Sequence, residues 1–143
     1  MWSPSSIHSD PMAARKTLKT ITLSPLSVIF SNENRQLGIS LHSHHAEVRL
    51  SYSFEGFAGF PVLAATMDLV KERLDSLLAE PFLNRRNEEI LDVIFQGFVD
   101  WECPTIRSYA GEWKLMAVDL TVFSTRDRFG HADGATTYRV EVS

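Results

Sequence analysis

The stretch Ala46–Glu80, AEVRLSYSFEGFAGFPVLAATMDLVKERLDSLLAE, changes its hydrophobic period from two to about 3.6 across one glycine-rich turn. Val48, Leu50, Tyr52 and Phe54 alternate without exception with Glu47, Arg49, Ser51, Ser53 and Glu55. That pattern predicts a strand with one buried and one wet face, as in an antiparallel sheet. Gly56 and Gly59 interrupt it, and Pro61 suits the first turn of a helix, where its missing N–H has no intrahelical partner.

Leu63, Met67, Val70, Leu74, Leu77 and Leu78 then fall on one stripe, while Asp68, Lys71, Glu72, Asp75 and Ser76 fall outside it. Leu69 is the apolar residue off the stripe, and Pro81 closes the helix by disfavouring helical geometry at Glu80. The reading is a helix, Pro61–Glu80, laid on the apolar face of a sheet.

Working outward, Leu26, Val28 and Phe30 predict one strand, and Asn32–Asn34 offers a turn into a second strand at Leu37, Ile39 and Leu41. Leu18–Leu23 reads as a further short strand or the lead-in to the first, set off by Pro25. Trp113–Phe123 predicts a strand with Met116, Val118, Leu120 and Val122 on one face and Trp113, Leu115, Ala117, Asp119, Thr121 and Phe123 on the other. Both faces are substantially apolar, which suits a central strand or one covered by a partner chain. Thr136, Tyr138, Val140 and Val142 give the last strand.

Asn87–Trp101 reads two ways. As a helix it has an Asn cap, Glu88 and Glu89 in the first turn, and Ile90, Leu91, Ile94, Phe95 and Phe98 on one side. As a strand it alternates Leu91, Val93, Phe95, Val99 and Trp101, and Gly97 would weaken a helix by about 1 kcal/mol relative to Ala. Composition tips the reading to strand. The expected fold is α+β: a mainly antiparallel sheet of about five to six strands, in the order βββα, strand or helix, ββ, packed on one main helix.

The 143-residue chain suits a single domain, residues 17–143, after a Ser- and Pro-rich tail, residues 1–16. A composition of 44% hydrophobic and 22% charged residues is that of an ordinary globular protein. The formal charge of −4 disfavours nucleic acid as a partner. A lone Cys103 excludes a disulfide framework and leaves a reducing compartment, the cytoplasm, as the expected setting. No apolar run reaches the ~18 residues of a membrane helix.

Three constellations carry potential chemistry. His42 and His44 stand at i and i+2, the spacing that puts two imidazoles on one strand face, and His131 with Asp133 offers ligands from a distant loop. Against a metal site stands the plain alternative that His42 shares a polar strand face with Ser40 and Gly38 while His44 and His45 form a turn. The loop Arg126–Gly134 concentrates acid, base and cation, and also reads as a solvated hairpin connection. Cys103 lacks a nearby histidine to hold a thiolate and reads as a small apolar residue near Trp101. No catalytic residue, cofactor or metal is therefore assigned.

Phe54, Phe57 and Phe60 surround two glycines in one turn, either capping the core or anchoring a partner. With Trp113, Leu115 and Phe123 from the two-sided strand, Phe57 and Phe60 are the interface candidates. The expected function is a non-enzymatic assembly or protein-binding module, acting on a protein partner or on itself. The alternatives are a small metal-dependent enzyme using His42 and His44 or the Arg126–Gly134 loop, and a regulatory or inhibitory protein that masks a partner.

EVRLSYSF, a Gly-containing turn, MDLVKERLDSLLAE, a divergent middle and WKLMAVDLTVFSTR together resemble, in layout, the tail-terminator and neck proteins of tailed phages. The resemblance spans Glu47–Arg126. It implies a ring-forming structural protein of the virion with no active site, and it carries over no functional residue.

Overall fold

The computed structural model describes residues 19–34, 38–55, 63–107, 112–124 and 134–142. The elements in chain order are β1 (Lys19–Thr22), β2 (Leu26–Asn34), β3 (Ile39–Glu55), α1 (Leu63–Leu77), β4 (Phe82–Leu83), α2 (Asn87–Val99), α3 (Pro104–Arg107), β5 (Glu112–Phe123) and β6 (Ala135–Glu141). Among the described residues the strands form one six-stranded sheet in the order β4-β2-β3-β5-β6, with β1 also on β3. The sheet curls into a half-barrel, and the class is α+β. It is mixed rather than purely antiparallel, because Asn32 and Glu33 of β2 pair in parallel with Phe82 and Leu83 of β4. The tail expected at residues 1–16 lies outside the described residues.

β3 is the spine of the sheet. It is one strand of 17 residues where a strand, a histidine turn and a second strand were expected. His44 and His45 are inside it, opposite Phe30 and Ile29 of β2. Pairing along the full length of β2 keeps this polar segment extended, an effect that local turn propensity does not anticipate. The other part of the same β3 edge pairs with β1, Thr22 lying opposite Ser51. From Thr22 to Leu26 four steps face the three from Ser51 to Val48, so β1 and β2 form an almost continuous strand with one extra residue near Pro25.

A second bulge, in β5, explains the apparently two-sided strand. Ser51 and Tyr52 are consecutive on β3, yet they face Ala117 and Leu115, leaving Met116 as the extra residue. Parity flips there. Trp113 and Leu115 before the bulge join Val118, Leu120 and Val122 after it on the core side, with Leu115 only 5% exposed and Trp113 packed against the core. Met116 itself is exposed. The second apolar face expected of this strand is therefore the same core face, displaced by one residue.

The stripe predicted for α1 faces the core, with Val70, Leu74 and Leu78 buried and Met67 and Leu77 packed beside them. Lys71 ties the helix to β2 by donating to the Ser27 carbonyl at 2.9 Å.

Asn87–Val99 is a helix, which corrects the preference for a strand. Ile90, Leu91, Ile94 and Phe98 are buried on one side, against β5 and β6. The residue that argued for the strand, Gly97, has a packing role: a Cβ there would collide with the Leu77 side chain of α1. The two helices touch at that point, and Arg73 of α1 donates from Nε to the Gly97 carbonyl at 2.6 Å. The sheet thus carries a layer of two helices where one main helix was expected. The cap residue is Arg86, without a side-chain cap bond, and Asn87 instead donates to the Tyr138 hydroxyl at 3.3 Å.

Candidate functional site

Among the described residues the helices pack on one face of the sheet and none packs on the other. On that open face three rows of side chains run across the strands. Thr22 and Ser51 share a hydrogen bond at 3.2 Å, Ser31 and Ser43 one at 3.1 Å, and Thr121 and Thr137 one at 2.9 Å. Each pair is directly opposite in its ladder, so these hydroxyls satisfy one another across the strands.

Between these pairs runs a charged row, Arg49 opposite Asp119 opposite Arg139. Arg139 Nη1 donates to both Asp119 oxygens, at 3.2 and 3.0 Å, and its Nε donates to Glu141 Oε1 at 2.6 Å. Those two carboxylates, Glu141 by its hydrogen bond first and then Asp119 by its charge, hold the Arg139 guanidinium above its ordinary pKa. The row floors a groove of about 390 Å³ bounded by Thr20, Thr22, Ser51 and Glu141, and a neighbouring one of about 280 Å³ reaching Glu47 and Thr137.

β6 ends this face. Its inner edge pairs with β5, and among the described residues no strand pairs with its outer edge. Val142 extends the ladder by donating to the Met116 carbonyl at 2.8 Å. In an antiparallel ladder alternate residues turn their backbone groups to the same neighbour, so Tyr138, Val140 and Val142 address β5. Thr137, Arg139 and Glu141 turn theirs outward.

His42 and His44 lie elsewhere, on the helix side of β3, in phase with the buried Ala46 and Val48. The His42 and His44 rings meet edge to face with centroids 4.5 Å apart, and His44 stacks on Phe30 at 5.3 Å. Phe30 in turn meets Phe82 of β4. Burial, and then the charge of His42, lower the His44 pKa from its usual 6.5. The two imidazoles are thus brought together as their spacing predicts. Among the described residues no group of three His, Cys, Asp or Glu side chains could hold a metal ion. His131 and Asp133 lie outside the described residues, as does the Arg126–Gly134 loop up to its last residue, Gly134, which exchanges hydrogen bonds with Ser124.

Of the expected interface residues, Leu115 and Trp113 belong to the chain's own core and Phe123 is half-buried near the end of β5. Phe57 and Phe60 lie outside the described residues. Cys103 is buried, as its apolar reading requires, and its Sγ lies 3.1 Å from Thr105 Oγ1. Thr105 also meets the fully buried Thr66 at 2.6 Å. The Tyr52 hydroxyl is buried and, among the described residues, has no hydrogen-bond partner. Burial first, and then Cys103, push its pKa well above the usual value, with Arg73 acting the other way.

Arg139 and Glu141 were not singled out from the sequence. The available signal was two opposite charges at i and i+2 on the wet face of the last strand; its weight comes from that strand ending the sheet. Among the described residues no helix is long and apolar enough to cross a membrane. Comparison of the chain with protein families, curated proteins and solved structures gives no match.

Proposed function

We propose that this chain is a non-enzymatic assembly module that joins protein chains by strand addition, with another copy of itself as the first partner. The observation supporting this reading is the outer edge of β6, where Thr137, Arg139 and Glu141 direct backbone donors and acceptors away from β5. Seven residues of β-strand carry no proline and no bulge on that edge, two of the devices that ordinarily block pairing. Main-chain hydrogen bonds supply affinity in such additions and side chains select the partner. The layout shared with tailed-phage terminator and neck proteins supports a virion structural role as the setting.

Glu141→Pro tests the proposal, since it removes an outward N–H and leaves the β5–β6 ladder intact. Light scattering after size exclusion should give an assembly for the native chain and 16.2 kDa, the monomer mass, for the variant. A native chain that elutes as a monomer, alone and with lysate from its source, contradicts it.

A further inference from the structure

The charges on β6 are self-complementary in one register. We infer that two copies join antiparallel through β6 with Val140 of one facing Val140 of the other across a two-fold axis; this rests on the assembly reading above and specifies its geometry.

On that axis, residues whose numbers are equally spaced about Val140 oppose each other. Arg139 faces Glu141 of the second copy, twice by symmetry, on the polar face of the joined sheet. On the helix side Tyr138 faces Val142 of the second copy, twice, on either side of the Val140 pair. Val142 is 41% exposed in the single chain, and Tyr138 and Val140 are half-buried against the core, so this row would gain cover along its length.

The backbone agrees with this register. Arg139 and Glu141 are the residues whose N–H and C=O point outward, so each Arg139–Glu141 pairing exchanges two hydrogen bonds, while Val140 forms the close pair that exchanges none. Centring the axis on Arg139 or on Glu141 sets like charges face to face. Centring it on Thr137 or Tyr138 leaves Arg139 opposite Ala135 or Thr137. Opposite charges on an edge strand thus reject the other registers while favouring one. A two-fold contact of this kind closes at a dimer and leaves no further β6 edge.

Disulfide trapping reads the register directly. In a non-hydrogen-bonded antiparallel pair the Cα atoms lie about 4.5 Å apart, within the span of a disulfide. Val140→Cys should therefore give a cross-linked dimer under mild oxidation, reversed by reductant, and the native Cys103, 4% exposed, should not react. Glu141→Cys and Thr137→Cys face other residue types on this axis and should cross-link at least about tenfold less. Cross-linking at Thr137→Cys in preference to Val140→Cys overturns the register. So does a native dimer by light scattering in which Val140→Cys stays uncoupled, and in that case the assembly reading survives. A native chain that is monomeric by light scattering overturns the two-fold pairing, and one that stays monomeric with lysate from its source overturns the assembly reading as well.

Discussion

Asp119 accepts two hydrogen bonds from Arg139 directly across the β5–β6 ladder, at 3.0 and 3.2 Å, with its carboxylate side chain only 14% exposed. Arg139 is more open, and solvent screens the pair. Asp119→Ala should lower unfolding stability by about 1 kcal/mol, and the loss should shrink in high salt. Urea titrations at low and high ionic strength measure it; a salt-independent loss would mean the carboxylate acts through packing.

The Gly97 contact supplies a second expectation. Ala is the better helix former by about 1 kcal/mol, so an unhindered Gly97→Ala would stabilise the chain. Because the Leu77 methyls must move to admit a Cβ, overpacking should cancel that gain. Pairing Gly97→Ala with Leu77→Ala should cost less than the sum of the two single changes, which a double-mutant cycle reads.

Helix and strand were both legible at Asn87–Trp101 because Leu91, Phe95 and Val99 fit either period. What decides the matter is α1 packed across Gly97, a contact distant in sequence. The same holds for β5: alternation was readable on both sides of Met116, but the parity change is set by the partner β3. By contrast, Val48–Tyr52 and Val70–Leu78 are where the local pattern placed them, since one face of each is fully satisfied by the core. The histidine segment was misplaced because polar residues resemble a turn until β2 is seen alongside. The site was legible least of all, because an edge is a property of topology.

His44 gives the chain a dependence on pH. Its folded pKa lies below the usual 6.5, so the unfolded chain takes up its proton first as pH falls. The stabilisation is complete above about 6.5 and is lost as pH descends toward the folded value. His44→Phe, which keeps a ring on Phe30, should flatten the stability profile in that window. An unchanged slope would assign the dependence to other groups.

Tyr52, 5% exposed, buries a hydroxyl that has no hydrogen-bond partner among the described residues. Removing such a group relieves a desolvation cost, so Tyr52→Phe should leave stability unchanged or raise it by up to about 1 kcal/mol. A clear loss in thermal or urea unfolding would show that the hydroxyl is satisfied in solution.

Amide hydrogen exchange along β6 tests strand addition most directly. Tyr138, Val140 and Val142 should be protected at every protein concentration, because their amides address β5. The account predicts that Arg139 and Glu141 gain protection as concentration rises, in step with the dimer fraction. Exchange of those two amides at the rate of an open strand at all concentrations, with their neighbours protected, would contradict it.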